Sequence, residues 1–126
     1  MARHNDTGRM GEEFAAATVQ SSGYQILCRN FATTYGELDI VACKEDILAF
    51  IEVRTRRFGG GHPVETVTRS KRKRIISAAY IYLERHPSTL QPRFDIFTVT
   101  TGSSGQVADW AHFEGAFDGS EYDGSF

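Results

Sequence analysis

The chain has 126 residues, a net charge of −2, 40% hydrophobic and 24% charged residues, and two cysteines. That balance describes one globular domain with a single core and excludes disordered and disulfide-scaffold classes. No run approaches the roughly 18–20 apolar residues of a membrane span, and the opening MARHNDTGRMGEE lacks the apolar core of a signal peptide. A cytoplasmic protein with Cys28 and Cys43 as reduced thiols is therefore expected.

From about Arg9 to Ser21, RMGEEFAAATVQS favours a helix through its alanines and glutamates. Met10, Phe14, Ala17 and Ser21 fall on one side at helical spacing, and Gly23 ends the element. YQILCRNFA (24–32) reads as a strand. Past the turn around Thr34–Gly36 come two apolar runs, LDIVA and ILAFIEV, joined by the polar CKED as a hairpin. RFGGGHPVETVT (57–68) has three consecutive glycines and a proline and predicts a mobile loop. A second helix is expected from about Ser70 to Arg85, with Ile75, Ile76, Ala79, Tyr80 and Leu83 on its apolar face and His86–Pro87 as its stop. RFDIFTVT (93–100) and a short segment near Val107–Phe113 complete the strands. The predicted organisation is one domain over 1–117 with a frayed acidic tail over 118–126. An order of helix, three strands, helix and two strands implies an α/β sandwich, a mixed sheet covered by helices.

Charge is unevenly spread. Arg54, Arg56, Arg57, Arg69, Lys71, Arg72, Lys73 and Arg74 face only Glu65 within 21 residues, a local +7 that leaves −9 for the rest. Such a segment offers an anion a local field whatever the whole-chain charge. Lys71–Arg74 also crowd the first turn of the expected second helix, where the helix dipole disfavours cations. Either this is a solvated face, or a phosphate of a nucleic-acid backbone docks there.

Two strand acids raise the sharper question. Asp39 and Glu52 lie inside runs that otherwise call for burial, and a buried charge is costly unless paired or bound to metal. Glu52, Arg54 and Arg56 share a strand face by their spacing, as do Glu37 and Asp39. Paired as a hairpin, the strands can bring Asp39 and Glu52 together. Two readings stay open: ion pairs with arginine at a sheet edge, or a hard divalent cation such as Mg²⁺ or Mn²⁺ held by oxygen ligands. By position alone, Glu12 and Glu13 are favourable acids in a helix's first turn. His4, His62, His86 and His112 show no metal-ligand spacing, and Trp110 reads as a core or strand residue.

The combination of GxxGE (Gly8, Gly11, Glu12), GYQILCRNF, GELDIVA, FIEVRTR and RFDIFTV, over residues 8–117, resembles the YraN-like family of predicted bacterial endonucleases. That family resembles the PD-(D/E)XK nuclease superfamily and its Holliday junction resolvase-like members. The resemblance implies a restriction-endonuclease-like αβββαβ core, a mixed central sheet flanked by helices. It implies a metal-dependent endonuclease acting on DNA, in which Asp39, Glu52, Glu12 and the Val53 carbonyl hold Mg²⁺ (or Mn²⁺). Arg54 stands where lysine is usual, and Lys71 at an accessory basic position. An arginine does not act as a general base near neutral pH, so Arg54 is expected to hold phosphate instead. Arg54, Arg56, Arg57, Lys71, Arg72, Lys73 and Arg74 form the expected nucleic-acid surface, and a homodimer is in keeping with junction-cutting relatives. The alternatives are a nucleic-acid-binding protein that keeps the fold without cutting, and a protein–protein adaptor.

Overall fold

The structure, a computed structural model, describes residues 3–57 and 67–121. Helix α1 (Arg3–Ser21) precedes an antiparallel meander of β1 (Gln25–Ala32), β2 (Glu37–Lys44) and β3 (Ile47–Arg57). Helix α2 (Arg69–Arg85) then returns the chain so that β4 (Gln91–Thr101) lies parallel to β3, and β5 (Val107–Phe117) closes antiparallel to β4. The five strands form one sheet in sequence order, with one parallel pair. This is the mixed α/β arrangement expected from the sequence. The glycine-rich loop lies outside the described residues apart from its ends. Gly119–Glu121 form a 3-10 turn that starts under the Asp118 side chain, and the remaining tail lies outside the described residues as well.

Strand β3 explains why its sequence is almost continuously apolar. It is central and parallel to β4, so both its faces are covered. Leu48 and Phe50 pack with Ile75, Ile76 and Tyr82 of α2, while Ala49, Ile51 and Val53 pack with Ala15, Ala16 and Val19 of α1. Glu52 sits at the position after Phe50 on the α2 side, and it is a carboxyl in a row of core residues.

Helix α1 buries a face one step away from the expected one, whereas α2 buries Ile75, Ile76 and Ala79 as expected, packs Leu83 against the same core and departs at Tyr80. In α1 the buried residues are Gly11, Ala15, Ala16 and Val19, whereas Met10 and Phe14 are half-buried and Ala17 and Ser21 exposed. The cause is close approach. A Cβ at Gly11 would drive into the Thr55 hydroxyl, so α1 settles on β3 through its smallest residues rather than its largest. In α2, Tyr82 is buried against Phe31 and Phe50, and Tyr80 is 52% exposed. Helix α1 also begins six residues earlier than expected, in a polar stretch whose periodicity carries no signal. Its end is the expected one. Gly23 N–H bonds Gln20 O and Tyr24 N–H bonds Val19 O, with Gly23 at φ 100°, a Schellman close.

Candidate functional site

Strand β2 follows β3 in regular antiparallel register from Lys44↔Ile47 to Ile40↔Ile51 and then leaves it. Continuing that register would set Asp39 opposite Glu52. At the departure the side-chain alternation of β2 slips, since Leu38 and Val41 both pack toward α2 while Ile40 packs toward α1. The Asp39 carboxylate fills the opening. Its Oδ2 accepts the Val53 N–H at 2.8 Å, taking the place of a strand carbonyl. The site thus exists because two paired strands part at an acid.

Asp39 and Glu52 are 8% and 5% exposed, and each acts on the other's affinity for protons. The Glu52 carboxyl is pushed up to about 8, first by burial and then by the Asp39 charge, with Lys71 and Arg54 opposing. Asp39 is raised as well, again by burial, against the stabilising Val53 N–H and Glu52 bonds. The pair therefore carries too much negative charge for its surroundings.

Cations of two elements border it. Arg54 Nη1 lies 3.6 Å and Lys71 Nζ 3.8 Å from Glu52 Oε2. Arg54 follows Glu52 by two strand positions, and Lys71 enters from the first turn of α2, where its backbone N–H is capped by the Thr68 hydroxyl at 3.1 Å. Arg56 continues the row, and its Nε is buried with no hydrogen-bond partner among the described residues. On the other side, Glu12 of α1 feels the pair through its charge. Its carboxyl is raised by burial and then by Asp39, while Arg29 acts against the rise. Arg29 itself pairs with Glu13 at 3.1 Å.

The residues singled out from sequence thus fall into groups. Asp39, Glu52, Arg54 and Lys71 come together. Glu12 lies within electrostatic reach, but among the described residues no three His, Cys, Asp or Glu side chains close into a metal-ligand set. The donors that do converge, two carboxyls beside the Val53 peptide, are hard oxygens of the kind Mg²⁺ and Mn²⁺ take, and Mg²⁺ commonly binds one or two carboxylates with water completing its shell. They fit that ion. The helix cations do not form one patch. Lys71 and Arg74 line a cavity beside the β1–β2 turn, whereas Arg72 lies on the opposite flank of α2, bonding the Val67 carbonyl at 2.7 Å. Arg57 lies elsewhere, in a hollow with Thr7, Thr101 and Gln106.

A second polar cluster escaped the reading of the sequence. Asp95 is fully buried, and its carboxylate takes Arg93 Nε and Nη2 at 2.8 Å, His112 Nε2 at 2.8 Å and the Gly115 N–H at 3.0 Å. Because a carboxylate only accepts, His112 carries its proton on Nε2. Arg93 also donates to the Tyr24 hydroxyl at 2.6 Å, which in turn donates to Glu114 at 2.7 Å. Burial works to raise Asp95, but the bonds from His112, Arg93 and Gly115 outweigh it and hold the group below the usual carboxylate range. The signal available in sequence was Arg93 two positions before Asp95 on one strand face; His112 had been given no role.

Fold and site together define the class: a small α/β protein, consistent with a restriction-endonuclease-like fold, carrying a buried acid pair edged by cations. The chain belongs to Uncharacterised protein family UPF0102, whose model matches residues 11–99 and so spans every member of the acid site. A UPF0102 protein of Syntrophotalea carbinolica is 47% identical over 113 residues, covering 88% of this chain and 90% of that one. One from Dictyoglomus turgidum is 38% identical across 90% of this chain and 98% of its own. One from Porphyromonas gingivalis is 39% identical across 93% and 87%. Among the described residues no helix is long and apolar enough to cross a membrane.

Proposed function

We propose that this chain is a metal-dependent endonuclease that hydrolyses phosphodiester bonds in DNA, with Mg²⁺ or Mn²⁺ held by Asp39, Glu52 and the Val53 carbonyl. The single observation that carries the reading is the burial, on paired strands, of two carboxyls whose proton affinity is raised, beside two cations. A divalent cation neutralises such a pair more fully than one proton.

A cation bound there supplies charge neutralisation for a phosphate and a more acidic water. The protein's own groups do the rest. Asp39 is oriented by the Val53 N–H, and Glu52 by Arg54 and Lys71. A guanidinium is no general base, so the part of Arg54 is to hold the scissile phosphate and stabilise the charge that builds on it. Lys71 holds the flanking phosphate, and Arg56 continues the row of cations beyond Arg54. Glu12 biases the site toward cations through its charge. Contacts of this kind go to the backbone and carry no sequence choice.

The test is a nuclease assay with Mg²⁺ on the wild type, Asp39→Asn and Glu52→Gln. Both substitutions keep shape and remove charge, and each is expected to reduce cleavage by at least about 100-fold, in line with loss of a group that stabilises a transition state. Mg²⁺-dependent cleavage at wild-type rate in both variants refutes the site. A second reading has one observation behind it: Glu52 already has two cations within 4 Å, which serves a non-cutting DNA-binding protein equally well. That protein would bind DNA in a salt-sensitive way, cut none, and keep its affinity in Asp39→Asn.

A further inference from the structure

Beside the acid pair lies a cavity of about 320 Å³, walled by the β1–β2 turn (Thr33 to Glu37) and by Lys71, Arg74 and Ile75 of α2. It is a built feature. The Thr33 hydroxyl donates to the Gly36 carbonyl at 2.7 Å and accepts the N–H groups of Tyr35 and Gly36 at 3.1 and 3.0 Å, which freezes the turn. The turn is also locked to the helix, since a Cβ at Gly36 would collide with the Arg74 carbonyl. The result is a corner in which Tyr35, 47% exposed, lines one cavity with two cations, Lys71 and Arg74. Lys71 belongs to both places, with its Nζ 3.8 Å from Glu52.

From this corner we infer that the β1–β2 turn and α2 form a subsite for one unpaired nucleotide next to the scissile phosphate: Tyr35 stacks on its base while Lys71 and Arg74 hold its phosphate. The inference rests on the proposed function and narrows its substrate class. A volume at the small end of the ~300–1,000 Å³ usual for ligand sites suits a nucleotide and not a duplex. Base faces inside a duplex are covered by their neighbours, so an aromatic ring on a turn reaches only a base that has left the stack. Lys71 and Arg74 are three residues apart on one helical face, so both can meet the same phosphate. Glu37, on the same wall as Tyr35, repels phosphate and so keeps the phosphate on the α2 side with the base toward the turn. The substrate strand is therefore unpaired on one side of the cut.

The experiment is a binding titration of the full chain in EDTA, which prevents cutting. The probes are a single-stranded DNA oligomer bearing 2-aminopurine, whose fluorescence falls on stacking, and a blunt duplex of the same sequence. The expected result is tighter binding of the single strand with quenching. Tyr35→Ala should weaken it on the order of tenfold and abolish the quench, Tyr35→Phe should preserve both, and duplex binding should not change. Equal effects of Tyr35→Ala on the two probes, or none on either, overturn the subsite while leaving the nuclease reading intact. A wild type that binds neither probe at low salt also overturns the subsite, while the nuclease reading stands or falls by the Mg²⁺ cleavage assay. Melting of each variant checks that it folds.

Discussion

Asp95 and the Asp39–Glu52 pair are equally hidden in one sheet, yet the fold treats them in opposite ways. Asp95 receives two bonds from Arg93, one from His112 and one from the Gly115 N–H, and its affinity for protons falls. Asp39 receives one backbone N–H and the carboxyl of Glu52, and the affinity of both acids rises. Burial is common to the two regions and so does not mark a functional site. What separates them is the number of hydrogen-bond donors each carboxyl receives, and the pair with fewer has the raised affinity for protons. Asp95 reads as a lock that ties Tyr24, β4 and β5 together, and the acid pair as a seat left for something else.

The comparison is broken most directly at Asp95. Asp95→Asn leaves Arg93 and His112 without their charged acceptor, and removing one partner of a buried ion pair costs about 3–5 kcal/mol. Urea unfolding should read that loss, and a loss below about 1 kcal/mol would put Asp95 in the same class as the pair. The next effect is a pH slope. The Glu52 carboxyl is raised in the folded chain from its ordinary 4.5 to about 8, so the fold binds the extra proton over that window and the unfolded chain does not. Stability of the metal-free protein should then fall as pH rises from about 5 to 8, by up to a few kcal/mol at ~1.4 kcal/mol per pH unit. Asp39→Asn keeps an acceptor for Val53 and should flatten the slope. Asp95 contributes in the other direction: its lowered value gives stability that is present above pH ~4 and lost as pH falls further. The smallest effect sharpens the contrast. Mg²⁺ competes with the extra proton, so it should raise the melting temperature by several degrees at pH 8 and by less at pH 6. Asp39→Asn should abolish that rise, and Asp95→Asn should leave it in place on a lower baseline.

Much of this was legible in the linear chain. Asp39 and Glu52 stood out because each interrupts an apolar strand, and period-two spacing correctly aligned Glu52 with Arg54. Lys71 was legible as part of a basic run, but its separation from Arg72 was not, since the two flanks of α2 differ only by what packs beside them. The buried face of α1 lies one position from the apolar stripe, while that of α2 follows it except at Tyr80. Apolar spacing gives a stripe, while the decision between Phe14 and Ala15 belongs to the distance at which Thr55 meets Gly11. The Asp95 cluster could not be assembled from sequence, because Tyr24 meets Arg93 across 69 residues and His112 meets Asp95 across 17.

By itself the sequence determined the elements, their order and the identity of the costly acids, because those follow from side-chain periodicity and from the expense of placing charge among apolar residues. Only the tertiary structure decided that β2 parts from β3 at Asp39, that Asp95 is satisfied by a histidine and an arginine, and that Tyr35 lines one cavity with Lys71 and Arg74. Those outcomes depend on which groups meet across the fold, and contact between distant residues is settled by packing, which local spacing does not encode.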